Sequence, residues 1–401
     1  MSCEPRFPLE GTALDVPLGE VLAATPEQRR EYVRDIFASL ADEALADCMA
    51  LKPKVAFARI VRDLSSLNSI ATDKFLYTDD DTLKRNVLAK GGPGGTHTDF
   101  SRLHMWKMKT KIGNLAESLE YGCSNLMGTL EQLFDPTKHS KECFRNRRKG
   151  AIPNVLQFFQ MQMGSGSAFP PVHARYFADK YLPADRDCVV VDPCAGWGGR
   201  LVGCLLVPRS HKVTFYGIDP EERNGRAYRG LTRVVTQTLK DEVWGDRAAN
   251  FSFMPYEDWL DTPAAEELKG SVDLVMTSPP YGAAEIYNPD NPNQSAIRYP
   301  TYQKWRDGFL EPFIEGSYEL LRPGGHFVLN IANVKEAPRL EEDACKIADS
   351  IGFKLEDIYQ LALSRSPGNR QPHRKVRTVS VDGVKYKREP VFCFVKPQGS
   401  S

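Results

Sequence analysis

Apolar and polar positions fall into two textures along the chain. From about residue 185 onward, short β-branched and aromatic runs alternate with longer stretches in which apolar residues return every three or four positions. The runs are Cys188–Asp192, Lys212–Asp219, Asn250–Met254, Val272–Ser278, His326–Asn333, Lys354–Leu361 and Pro390–Val395. Between the first six, helical spacing predicts helices at about 197–206, 221–239, 256–268, 301–321 and 337–350. Strands separated by helices re-enter a sheet in the same direction, so the pattern predicts a parallel sheet covered on both faces. No helical stretch separates the last two runs, which predicts an antiparallel hairpin at the end of a seven-stranded, mostly parallel sheet.

Residues 1 to about 150 differ. Tyr32, Ile36, Phe37 and Leu40 recur at helical spacing within Pro26–Leu45, Ile112–Phe134 is similar, and no strand series is evident. The expectation is a mainly helical N-terminal region over 1–150 and an α/β domain over 151–401. Gly91-Gly92-Pro93-Gly94-Gly95 is not followed by Lys-Ser or Lys-Thr, so it reads as a connector rather than a phosphate loop.

Composition narrows the setting. The 401 residues are 41% hydrophobic and 26% charged, as in soluble globular proteins. No apolar run approaches the roughly 18 residues of a membrane span, and the N-terminus lacks a secretory pattern. Nine scattered cysteines form no CxxC pair, which predicts no metal site and fits reduced thiols in the cytoplasm, or in the nucleus of a eukaryotic cell. Net charge is zero, so any polyanion must be met by local clusters of basic residues.

The first predicted strand ends in Asp192-Pro193-Cys194-Ala195-Gly196-Trp197-Gly198-Gly199-Arg200. In a doubly wound sheet, ligands sit beyond the carboxyl ends of the strands, where such a turn lets backbone approach closely. Asp192 is placed to receive an amino-acid ammonium, directly or through water. The second strand ends in Asp219-Pro220, a carboxylate about 20 residues past the turn, suited to a ribose diol. Glu257 and Asp258, just after the third strand, could accept from an adenine amino group. Ammonium, ribose and adenine together describe S-adenosylmethionine. A dinucleotide fits less well, because the turn does not match GxGxxG.

The fourth strand runs into Ser278-Pro279-Pro280-Tyr281. This segment, with the Asp-Pro-Cys-Ala-Gly-Trp-Gly-Gly-Arg turn, resembles the DNA amino-methyltransferases that act on adenine N6 or cytosine N4, and is most similar to phage-type DNA methylases. The resemblance covers roughly 165–397 and implies a Rossmann-like class I methyltransferase fold. An exocyclic base amine is a weak nucleophile, its lone pair delocalised into the ring. Two fixed acceptors, the Ser278 side chain and the Pro279 carbonyl, would favour a pyramidal nitrogen, and Pro280 stiffens the backbone that carries them. Tyr281 offers an aromatic face for an unstacked base, which a duplex must first extrude. Serine in the first position leans, on the resemblance, towards cytosine N4. Also by resemblance, a helix before the first strand covers the cofactor, with Phe169 and Pro170 over its methionine end and Arg175 near its carboxylate.

Glu285, Tyr287, Asn293 and Gln294 lie in the polar segment after the motif and are candidates for substrate contact. Two basic clusters are candidates for a DNA backbone. One contains Arg147 and Arg148; the other, in the long final hairpin, contains Arg370, Arg374, Lys375 and Arg377. The N-terminal region is open to target recognition, homodimerisation or capping of the fold. The same chemistry on RNA, a nucleotide, a small molecule or a protein glutamine, and a non-catalytic nucleic-acid-binding protein, are the rival readings.

Overall fold

The β-branched runs fold as strands because they alternate between two apolar layers, and this decides which ends of the sheet meet a ligand. The computed structural model describes residues 168–239, 245–282, 286–288, 290–365, 378–381 and 384–399, with short pieces at 25, 27–28, 31, 66, 76–78, 86–88, 109–110 and 113–114. In chain order the described strands are β1 (Leu76–Thr78), β2 (Asn86–Leu88), β3 (Lys109–Thr110), β4 (Gly113–Asn114), β5 (Cys188–Asp192), β6 (Val213–Ile218), β7 (Arg247–Ser252), β8 (Val272–Thr277), β9 (Leu321–Asn330), β10 (Lys354–Arg365), β11 (Thr378–Val381) and β12 (Val384–Val395). The helices are α1 (Pro171–Tyr181), α2 (Gly199–Leu205), α3 (Gly225–Thr238), α4 (Tyr256–Trp259), α5 (Pro263–Leu268), α6 (Ser295–Arg298), α7 (Tyr302–Trp305), a π-helical turn (Arg306–Leu310), α8 (Glu311–Leu320) and α9 (Leu340–Ile351).

The main sheet has the order β1-β2-β10-β12-β9-β8-β5-β6-β7. β5 pairs in parallel with β6 and β8, β6 with β7, and β8 with β9, while β12 is antiparallel to both β9 and β10. Its seven strands from β10 to β7 make the Rossmann-like methyltransferase fold: five parallel strands joined by helices, then an antiparallel hairpin. The hairpin is not simply appended. β12 inserts between β9 and β10, where Cys393 and Phe394 are buried.

Beyond β10 the sheet continues into β2, paired in parallel through Tyr359↔Asn86 and Leu361↔Leu88, and then into β1. These strands belong to a stretch in which sequence patterning shows no strand. Three-residue strands carry little periodic signal, and here the free edge of β10 supplies their partner. By compactness, Phe57–Ser101 groups with Ala168–Ser401, and Met1–Ala56 with Arg102–Ser167. The latter unit contains the β3–β4 pair, with β4 near the start of a stretch expected to be helical.

Successive strand residues point to opposite faces. Val190 joins the apolar cluster under α1, α2 and α3, whereas Val191 joins the one under α4, α5, α8 and α9. All six residues of β8 are buried, as a central strand covered on both faces requires. At its start, Asp273 accepts from the Val189 N–H at 2.9 Å, from Arg322 Nε at 2.6 Å and from Arg186. One carboxylate thus joins the amino ends of β5, β8 and β9.

Replacing Asp273 with Ala should lower unfolding stability by about 2 kcal/mol. The half-buried Val189 N–H loses its acceptor, a cost of about 1–3 kcal/mol, while both arginines can turn to solvent. A shift in the urea midpoint at unchanged slope checks this; an unaltered midpoint would show that Asp273 does not hold the strand ends.

Candidate active site

β5 leaves the sheet at Asp192, and the chain turns through Pro193–Gly198 into α2. Gly196 has φ +54° and Gly198, the N-cap of α2, φ +81°, in the left-handed region that favours glycine. A Cβ on Gly198 would lie 2.6 Å from the Leu231 side chain, so the turn can pass α3 here only without one.

Asp192 is fully buried and accepts from Arg200 Nε at 2.7 Å and from the Cys194 N–H at 3.2 Å. Arg200 also donates to the Cys194 carbonyl, and its guanidinium lies 5.6 Å from the centre of the Phe169 ring. Burial by itself would lower the Arg200 pKa, but Asp192 outweighs it and holds the guanidinium charged. The Asp192 carboxylate is therefore already balanced and committed to holding the turn. This modifies the expectation that it meets an ammonium directly. Burial, followed by the carboxylates of Asp192 and Asp219, raises the Cys194 thiol well above its usual value and favours its protonated form.

The second carboxylate serves the same turn. Asp219, at the end of β6, accepts from the Gly196 N–H at 2.8 Å and the Glu221 N–H at 2.9 Å. Tyr228 Oη (2.7 Å) and Asn224 Nδ2 (3.2 Å) donate to the Gly196 carbonyl, and the Ala195 N–H bonds the Ile218 carbonyl at 2.9 Å. Burial pushes the Asp219 carboxyl up to about 7, against the two N–H groups that favour its charged form.

Glu257 and Asp258 sit on α4 and separate in role. Asp258 takes both terminal nitrogens of Arg298, at 2.8 and 2.9 Å. Glu257 Oε1 is shielded from solvent, lies 3.3 Å from Arg298 and makes no hydrogen bond. Burial raises the Glu257 pKa. Asp258 is thus taken by both Arg298 nitrogens, whereas Glu257 keeps a solvent-shielded oxygen that meets Arg298 as an ion pair.

The Ser278–Tyr281 segment follows β8, next to the end of β5. Ser278 Oγ donates to Asn330 Oδ1 at 3.2 Å, and Asn330 Nδ2 donates to the Pro390 carbonyl at 3.0 Å. The amide is thereby oriented by β12, and the serine proton is directed away, leaving Oγ as an acceptor. Pro279 is buried, and the Tyr281 ring is 8% exposed within the apolar cluster that includes Val191 and Trp305.

The polar loop after the motif closes on the end of β6. Asn288 Nδ2 bonds Glu221 Oε2 at 2.8 Å, and Asn291 Nδ2 bonds the Pro220 carbonyl at 2.7 Å. Burial would raise the Glu221 pKa, but bonds from Arg223 and Asn288 outweigh it and hold it low. Gln294 accepts from the Tyr287 and Asn288 N–H groups at 2.8 and 3.1 Å, so it shapes the loop rather than facing a substrate. Tyr287 meets Trp197 edge-on at 6.0 Å. Asn293 bonds the Asn291 side chain through its N–H at 2.9 Å. Phe169 and Arg175 are both buried at α1, and Pro170 is its N-cap.

Arg147, Arg148, Arg370, Arg374, Lys375 and Arg377 lie outside the described residues, as does Glu285. Asn330, Arg200, Glu221 and Tyr228 are the residues that sequence reasoning missed. Only Glu221 had a local cue, a second carboxylate two positions beyond Asp219.

No known family model matches the chain. Over 103 residues it is 31% identical to the type II methyltransferase M.MjaVI of Methanocaldococcus jannaschii, covering 25% of this chain and 48% of that protein. The chain thus spans about half the length of the curated relative it matches. Two solved structures are similar at low level. The SAM-dependent O-methyltransferase of Thermotoga maritima has a TM-score of 0.33 and 14% identity, over 61% of this chain and 72% of that one. The 1,6-didemethyltoxoflavin-N1-methyltransferase of Burkholderia thailandensis, holding S-adenosylhomocysteine, has 0.31 and 17%, over 56% and 79%. Among the described residues no cluster of side chains could hold a metal, and no helix is long and apolar enough to cross a membrane.

The Asp219 shift sets a pH dependence. A folded pKa near 7 lies above the unfolded carboxylate value, so folding binds a proton between them. The stability from this proton is full below about pH 4 and lost as pH rises through about 7. Asp219→Asn should flatten that part of the stability curve, measured by urea unfolding at stepped pH. An equal slope in both proteins would mean that Asp219 is ionised throughout.

Proposed function

We propose that this chain transfers the methyl group of S-adenosylmethionine to an exocyclic amine of a DNA base, cytosine N4 in preference to adenine N6, after extruding the base. The observation that carries the reading is the Ser278–Asn330–Pro390 chain of hydrogen bonds beside the glycine turn. Bound at that turn, S-adenosylmethionine supplies a methyl group on a sulfonium sulfur, ready for direct transfer. Phe169, Pro193, Ala195, Gly196 and Gly198 form the wall against its methionine end, with Asp192 and Cys194 holding the wall in shape. Asp219 and Pro220 face the ribose, and Glu257 takes the adenine amino group.

The residues of the motif act on the other substrate. Ser278 Oγ and the Pro279 carbonyl accept the two amine hydrogens, turning the nitrogen lone pair towards the methyl. The fixed proline pair and Asn330 keep both acceptors in place, so most of the acceleration comes from alignment rather than from a strong base. Transfer would leave the electrons of the carbon–sulfur bond on sulfur, and one of the two amine protons held at Ser278 Oγ and the Pro279 carbonyl would then pass to solvent water. Tyr281 provides the stacking surface, and an entering base has to displace what now covers its ring. The relative named a type II methyltransferase supports methyl transfer, and DNA as the acceptor rests on the resemblance carried by Ser-Pro-Pro-Tyr.

Incubating the protein with methyl-labelled cofactor and DNA, RNA or nucleotides, then digesting to nucleosides, tests the assignment. Label is expected in N4-methylcytosine; label confined to RNA or to free nucleotides would replace DNA as the substrate. Ser278→Ala should remove transfer and leave cofactor affinity within about twofold. Asn330→Ala should lower kcat about fivefold at unchanged cofactor affinity, since one orienting hydrogen bond is worth about 1 kcal/mol. Undiminished kcat in Asn330→Ala would take that residue out of the mechanism.

A further inference from the structure

Beyond β8 the chain passes from the candidate active site through α6 into α7, and beyond β9 a loop carries it into α9. A groove of about 400 Å³ opens on the surface where these helices meet. Its walls include Tyr302 and Arg306 on one side and Arg339, Asp343 and Lys346 on the other.

Charge in the groove is unbalanced. Three cations face one carboxylate, and Asp343 Oδ2 already accepts the Tyr302 hydroxyl at 2.7 Å. Arg306 Nε lies 3.5 Å from the half-exposed Asp307, outside the groove lining. Arg339 and Lys346 are exposed, and neither is paired with an acid among the described residues. Two guanidinium forks and an ammonium converging on an open groove suit a phosphate oxyanion, which guanidinium can grip through two parallel bonds.

Both walls are built to hold position. On the α9 side, the Asn333 N–H donates to Glu341 Oε1 at 2.9 Å, and the Glu341 N–H donates to Asn333 Oδ1 at 2.8 Å. That reciprocal pair fixes the loop after β9 against the start of α9, where Arg339 is the N-cap. On the other side, fully buried Trp305 bonds Ser295 Oγ at 3.2 Å and anchors the π-helical turn from which Arg306 projects. Such turns within helices recur at functional sites.

Accepting the function proposed above, we infer that this groove binds a backbone phosphate of the DNA strand that carries the target base. Ser278 follows β8 and Asn330 closes β9, and the chain beyond each reaches one wall of the groove, by way of α6 in the first case and of the loop before α9 in the second. A strand whose base enters the site needs its flanking backbone held at that same end of the sheet. A neutral chain achieves this only through a local cluster of this kind.

The test is the Arg339→Gln, Lys346→Gln double variant of the full chain, binding a fluorescein-labelled DNA duplex across a salt series. Affinity should fall about tenfold at low salt, and the slope of log K against log salt should flatten by about 1 to 2. Cofactor affinity should not change, and Arg339→Lys, Lys346→Arg should restore most of the slope. An unchanged slope, in a protein whose wild type binds and methylates DNA, overturns the groove and leaves the function standing. Weakened binding of an RNA probe alone, or loss of cofactor affinity, also overturns it. A wild type that neither binds nor methylates DNA removes both readings.

Discussion

The turn after β5 depends on burying the Asp192 carboxylate with no exposure at all, directly opposite Arg200. Desolvating an ion costs several kcal/mol, and the attraction between partners offsets it only where geometry is good and other polar groups are satisfied. Arg200 meets that condition from the first turn of α2, bonding Asp192 and the Cys194 carbonyl and lying over Phe169. For its side chain to reach back, α2 has to begin at once after the turn. Gly198 makes this possible by adopting a left-handed conformation at the N-cap. Gly196, two residues earlier, is then held from β6 by Asp219 and from α3 by Tyr228. The buried ion pair and these bonds together tie two strands and two helices to a few residues of backbone.

A second constraint governs the other half of the site. The Ser278 hydroxyl is useful as an acceptor only if its own proton has a fixed destination. Asn330 supplies that destination because its amide is oriented by the Pro390 carbonyl in β12. The insertion of β12 between β9 and β10 is therefore part of the site, although Pro390 is 112 positions from Ser278 in the chain. The two halves meet across the adjacent strands β5 and β8, so rigid sheet rather than loop sets their spacing. The loop over residues 286–294 adds a cover, bonded to Glu221 and Pro220 through Asn288 and Asn291.

Much of this was legible in the chain itself. The seven strand runs, the order of the glycine turn, Asp219 and Ser-Pro-Pro-Tyr, and the final hairpin could be read from apolar periodicity and turn chemistry, because both are local. Each run overlaps its observed strand, and shifts such as Asn250–Met254 against Arg247–Ser252 reflect an edge strand with weak burial. Tertiary structure alone decided what satisfies each polar side chain. Arg200 closes the glycine turn with no assigned partner until the fold sets it against Asp192; Asn330 is an unremarked strand end until β12 lies beside it. Gln294 looks like a substrate-facing amide until two backbone N–H groups claim it. The same holds for β2, whose partner lies more than 270 positions away. Periodicity records which face of an element is apolar, but hydrogen-bond partners are chosen by whichever groups the fold leaves adjacent and dry, and adjacency across a sheet is not written in neighbouring residues.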